Sequence, residues 1–75
     1  MKNSEVAEDI LLNLLIYNVD NREGWMRIDL LKLKMGNENI EEEINSLVDG
    51  KFVELKNSDY LRITKEGIDY IVQKV

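Results

Sequence analysis

Histidine, cysteine and proline are all missing from this 75-residue chain. Without cysteine there is no disulfide framework and no zinc–thiolate site. Without histidine the commonest general base and metal ligand is gone. No glycine-rich phosphate loop and no nucleophile elbow appears either, so the sequence offers no catalytic residues and the chain is not expected to be an enzyme. No cofactor is expected. The longest apolar run, residues 10–17, is interrupted by Asn13 and is far shorter than the ~20 residues a membrane span needs. The first residues include Asn3, Ser4, Glu5, Glu8 and Asp9, which is unlike a secretory signal. These absences point to a soluble cytoplasmic protein with no membrane partner.

Positive charge is also scarce. Ten Lys and Arg stand against fifteen Asp and Glu, a net charge of −5. The imbalance is local. Residues 37–50, NENIEEEINSLVDG, carry five acids (Glu38, Glu41, Glu42, Glu43 and Asp49) and no base, while the rest of the chain balances ten acids with ten bases. The broad basic footprint that usually marks a nucleic-acid binder is therefore lacking.

Seventy-five residues suit one domain, taken as 1–75, that buries only about 60% of its unfolded surface. Apolar periodicity divides it. Residues 4–18 predict a helix with Ala7, Ile10, Leu11, Leu14 and Tyr17 as one stripe. Ser4 is its expected cap. Leu12, Ile16 and Val19 fall on its other side. A helix apolar on both faces is either sandwiched in the domain or part of a dimer interface.

Residues 18–25 read as a loop, Met26, Arg27 and Ile28 as a very short strand, and Asp29 as the N-cap of a helix over 30–35. Leu30, Leu31 and Leu33 are its expected apolar residues, and Gly36 its end. The acidic stretch predicts a third helix with Ile40, Ile44, Leu47 and Val48 inward and an Asn39–Glu42 capping box. Residues 51–56 and 60–64 alternate as two strands, with Val53, Leu55, Leu61 and Ile63 on one face and Asn57-Ser58 as the tight turn. Thr64 caps a last helix to about Lys74, with Ile68, Ile71, Val72 and Val75 inward and Tyr70 outward.

The order helix, short strand, helix, helix, hairpin, helix resembles a winged-helix (winged helix-turn-helix) domain. The fold expected is α+β and mostly helical: a three-helix core, a two- to three-stranded β-hairpin wing and a C-terminal helix. The likeness spans nearly the whole chain and is most specific in its second half. Small MarR-like and PadR-like regulators run an acidic-hydrophobic helix into a Leu-x-x-Gly-x-Φ-Val step and close with Leu-x-Leu-Thr-x-x-Gly. Here the step is Leu47-Val48-Asp49-Gly50-Lys51-Phe52-Val53 and the closure is Leu61-Arg62-Ile63-Thr64-Lys65-Glu66-Gly67. Gly50 is expected to let the chain reverse, and Gly67 to let the last helix approach its neighbour closely. These are folding residues and say nothing about activity.

The resemblance implies a DNA-binding transcriptional regulator, commonly a dimer, with double-stranded DNA as partner. In that family the third helix enters the major groove and the wing touches the backbone. Glu42, Asn45, Ser46 and Asp49 are then the base-reading or partner-binding candidates, since Asn pairs well with adenine and a carboxylate can accept from cytosine. Lys32, Lys34, Lys56 and Arg62 are the DNA-backbone candidates. Leu12, Ile16, Val19 and Tyr70 are the dimer-interface candidates. The bland reading of Glu38, Glu41, Glu42 and Glu43 is helix-start chemistry, worth roughly 0.3–1 kcal/mol per carboxylate. Asp49 lies at the wrong end of the helix for that and serves either the Asp-Gly turn or a partner. Trp25 is read as a core or edge anchor, or as a partner-binding hot spot. Glu38, Glu42, Asn45 and Asp49 share a helix face, but one face does not wrap the six or more oxygens a hard cation takes, so no metal site is expected. The competing functional reading is a protein-interaction module whose acidic third helix engages a basic protein partner.

Overall fold

Ala7, Ile10, Leu11 and Leu14 are all fully buried along one side of the first helix, and they organise the core. The computed structural model describes residues 4–37 and 39–74. The expected roles of Glu38, Val75 and the Ser4 side chain lie outside what it describes. Helix α1 spans Ser4–Asp20. It packs against the other three helices and against one strand of the sheet. Its second apolar side is not sandwiched: Leu12 is half-buried, while Ile16 and Val19 are exposed by 62% and 77%.

A loop leads to strand β1 (Met26–Arg27) and then directly to helix α2 (Ile28–Met35). The helix starts two residues earlier than the sequence suggests. The Ile28 N–H donates to the Asp59 carbonyl at 2.8 Å, which satisfies one of the donors a helix start leaves orphaned. No Asp29 cap is needed: Arg27 sits at the N-cap without a side-chain bond, and Asp29 lies within the first turn. Of the three leucines named as its apolar residues, only Leu31 is fully buried; Leu30 is 36% and Leu33 77% exposed. At eight residues the helix has about two turns, and one narrow stripe suffices to seat it. Gly36 ends it at φ 65°, and the Gly36 and Asn37 N–H groups donate to Leu33 and Lys32 carbonyls at 3.2 and 3.3 Å. That is a Schellman motif.

Helix α3 (Glu41–Asp49) starts later than expected. Ile40, not Asn39, is its N-cap residue, and its side chain makes no capping bond. Asn37 explains the delay. Its Oδ1 accepts the Asn39 N–H at 2.9 Å, a local turn that competes with helix. Ile40, Ile44 and Leu47 are buried and Val48 is half-buried. Glu43 is also buried, at 6% exposure, so it is not one of a row of solvated acids. The chain then reverses at Lys51 (φ 65°) and not at Gly50, which stays right-handed. Gly50 serves a different purpose, leaving room for a neighbour: a Cβ there would come within 2.7 Å of the Phe52 ring.

Strands β2 (Val53–Lys56) and β3 (Tyr60–Ile63) form the hairpin, and β1 pairs with β3. The sheet is antiparallel with order β1-β3-β2. Asn57 and Ser58 both have positive φ, 52° and 58°, the sign pattern of a type I′ turn. Met26, Val53, Leu61 and Ile63 are buried beneath the sheet. Leu55 shares their face but lies near the hairpin tip and is 43% exposed.

Helix α4 (Lys65–Lys74) follows at once. The Thr64 hydroxyl accepts the Gly67 N–H at 3.1 Å and donates to the Lys51 carbonyl at 2.7 Å, so one side chain caps α4 and ties it to the turn after α3. Ile71 is fully buried and Ile68 packs on the core, but Val72 is 55% exposed. Tyr70 does not point away from the protein: its ring packs 5.0 Å from that of Phe52. Among the described residues the architecture is thus α+β and mostly helical, four helices with a three-stranded antiparallel sheet.

Candidate functional site

Two surfaces of opposite charge emerge. The first is the outer face of the sheet. In an antiparallel pair, residues directly opposite share a face. The register places Arg27, Tyr60 and Lys56 in one row across the three strands. Arg62 and Glu54 lie in the next row, and the β1–β3 register extended by one residue puts Trp25 there too. Side-chain contacts agree: the Arg62 guanidinium lies 4.4 Å from the Trp25 ring centroid, with the Lys56 ammonium 5.3 Å from the same ring and 6.0 Å from that of Tyr60. These are cation–π distances. Glu54 is the acid on this face, bound to Arg62 at 2.7 Å. Arg27, Lys56 and Arg62 against Glu54 leave the face at +2 in a chain of −5.

The second surface is a groove of about 370 Å³ between α2, α3 and the hairpin turn. Among the described residues, Asp29, Glu41 and Asp59 line it with a single base, Lys32, which together carry −2. Lys32 is already committed, donating to Glu41 at 2.7 Å. That hydrogen bond holds the Glu41 carboxyl below its ordinary range. Ile44, Asn45 and Leu55 supply the rest of the floor and wall.

The four DNA-backbone candidates therefore divide. Lys56 and Arg62 meet on the outer sheet face; Lys32 sits in the acidic groove; Lys34 is exposed on the last turn of α2. Of the base-reading candidates, Asn45 opens into the groove, Glu42 and Asp49 are exposed elsewhere along α3, and Ser46 is half-buried. Of the dimer candidates, Ile16 and Val19 are exposed, Leu12 is half-buried, and Tyr70 is engaged with Phe52. Sequence reasoning missed Arg27 and Tyr60 as partners of Lys56 and Arg62. Period-two alternation in Tyr60-Leu61-Arg62-Ile63 already separates Tyr60 and Arg62 from the buried face. The missing step was the β1–β3 pairing, which brings in Arg27 and Trp25.

No helix among the described residues is long and apolar enough to cross a membrane. Comparison with protein-family models, with curated proteins and with solved structures finds no match to this chain.

Proposed function

We propose that the chain is a winged helix that binds DNA, a small regulator acting in the cytoplasm, and that it docks by the outer face of its sheet. The element order and the β1-β3-β2 sheet support the winged-helix reading. The observation that carries the DNA reading is the gathering of Arg27, Lys56 and Arg62 around Trp25 and Tyr60 on one face. Sheets and β-ribbons are established readers of nucleic acid. Helix α3 keeps only a minor part, because its exposed carboxylates repel phosphates. The test is a salt titration of DNA binding. Log affinity should fall linearly with log salt, and Lys56→Gln and Arg62→Gln should each flatten the slope by about one contact. A folded protein with no DNA binding at low salt sinks the reading. A homodimer is part of it, with Ile16 and Val19 as the contact. Light scattering should give twice the chain mass, and Ile16→Asp should return the monomer.

A second reading has its own observation, the −2 charge of the α2–α3–hairpin groove. That groove suits a basic protein segment with an apolar side chain for Leu55 and Ile44. A synthetic Lys/Leu peptide should shift the amide resonances of Asn45 and Asp59. Binding without movement at either residue excludes the groove.

A further inference from the structure

We infer that the outer sheet face takes single-stranded DNA and not a duplex, by stacking unpaired bases on its cation–aromatic rows. The inference rests on the DNA reading above and names its ligand class. Three observations lead to it.

The first is what the cations do. A phosphate contact alone does not need an aromatic ring beneath the cation. Here Arg62 lies on the Trp25 ring at 4.4 Å and Lys56 lies within reach of both Trp25 and Tyr60. Trp25, Tyr60 and Arg62 are half-buried while Arg27 and Lys56 are exposed, so the two rings and the Arg62 guanidinium are the held platform of the rows. Flat, fixed aromatic and guanidinium groups stack bases. A duplex keeps its base faces inside its own stack and offers such platforms nothing. An unpaired base offers a π-face to any of them.

The second is width. Three strands span only about 10 Å at the usual strand spacing. The two backbones of a duplex face each other across a major groove about 12 Å wide. A duplex lying on this sheet would carry one backbone beyond the positive rows. Asp29, 3.9 Å from Arg27, and Asp59, next to Tyr60, flank them. A single strand fits within the rows.

The third is the small number of charges. Three bases, one tied to Glu54 at 2.7 Å and another paired with Asp29 at 3.9 Å, give few of the phosphate contacts that dominate duplex affinity. Base stacking is worth roughly 1–3 kcal/mol per base and supplies what the charges do not.

Trp25 is the only tryptophan, so the platform reports on itself. A single strand of about 20 nucleotides, longer than the roughly 4–16 that a small fold covers, is titrated into the full chain and followed by Trp fluorescence. The same strand, end-labelled and followed by anisotropy, is compared with its duplex. The expected result is quenching of Trp25, single-strand binding at least about tenfold tighter than duplex binding, and a log–log salt slope near −2, about 0.7 for each of Arg27, Lys56 and Arg62. Trp25→Leu should weaken the labelled strand by roughly 5- to 150-fold. Lys56→Ala, at an exposed position where folding is not at stake, should weaken it less and flatten the slope. Glu54→Gln should tighten binding by freeing Arg62. Equal affinity for strand and duplex overturns the inference while leaving the DNA reading intact; saturation without any change in Trp25 emission overturns it together with docking by the outer sheet face. Binding of neither form, with native circular dichroism, overturns both.

Discussion

At the scale of single residues, this fold depends on where a Cβ is and is not tolerated. Gly67 lies inside α4, where alanine is normally the better helix former by about 1 kcal/mol. A Cβ at this position would collide with the Phe52 carbonyl oxygen and lie 2.8 Å from the Ile63 side chain. That carbonyl is held in place, since it accepts the Thr64 N–H at 3.0 Å. Overpacking against fixed backbone costs about 1–3 kcal/mol and exceeds the propensity gain. Gly67→Ala should therefore lower the urea unfolding midpoint; an unchanged or raised midpoint would show that α4 is free to shift. Ser58 is the reverse case. It holds φ 58° with a side chain in the second central position of the hairpin turn. Asn-Gly is the preferred pair for two consecutive positive φ values. Ser58→Gly should remove left-handed strain of about 1–2 kcal/mol, partly offset by the greater backbone entropy glycine loses on folding. The net gain should raise Tm by a few degrees, about 2–8 °C in a differential scan.

At the scale of elements, the sequence told most where one element decides its own structure. Period-two alternation located both hairpin strands, and the Asn57-Ser58 turn follows from them. The Thr64 cap formed because a hydroxyl at a strand-to-helix junction can serve the first turn whatever else surrounds it. The sequence misled where two elements compete for one group. The start of α2 depends on the Asp59 carbonyl, thirty-one residues downstream of Ile28, and no local pattern points to it. The start of α3 was lost to an Asn37 turn. Val72 was read as inward-facing and Leu33 as one of the apolar residues of α2, yet they are 55% and 77% exposed, because the short helices α2 and α4 seat themselves with fewer residues than periodicity offers. The outer sheet face was half-legible: Lys56 and Arg62 were singled out, but Arg27 joins them only through strand pairing. The α2–α3 link yields a prediction in pH. Lys32 hydrogen-bonds Glu41 and lowers its pKa below the ordinary 4.5. A carboxyl whose pKa is depressed in the folded state stabilises above its unfolded pKa, and that contribution is lost as pH falls through the folded pKa. Lys32→Gln should then be less stable than the parent near pH 7, and the gap should close below about pH 4.5 as Glu41 protonates. Urea unfolding of both at about pH 7 and pH 3 measures it. The exposure of Glu41 keeps the gap small, and a gap that widens in acid would contradict the assignment.

At the scale of the whole molecule, charge is arranged as a polarity across the sheet. The sheet's inner face looks toward the helices, and α3, which packs on β2 and α1, lies on that side. Opposite it are Arg27, Lys56 and Arg62. The segment 37–50 alone accounts for the net −5. Such an arrangement has a directional consequence: a polyanion approaching at random is turned away from α3 and admitted at the outer sheet face, and over roughly a Debye length this steers which surface it meets. Glu42 and Asp49 are exposed acids of α3. Replacing both by lysine changes the net charge by four, from −5 to −1, and puts positive charge beside Asn45 and Ser46, side chains chemically able to read base edges. If the acids are what keeps a duplex off α3, the Glu42→Lys, Asp49→Lys pair should gain duplex affinity, with a salt slope steeper by nearly two contacts at about 0.9 each. Single-strand affinity, residing on the far side of the sheet, should change by much less. Anisotropy titrations of the two labelled DNA forms decide between this and the alternative, in which the double change leaves duplex binding undetectable and the shape of α3, not its charge, is what refuses DNA.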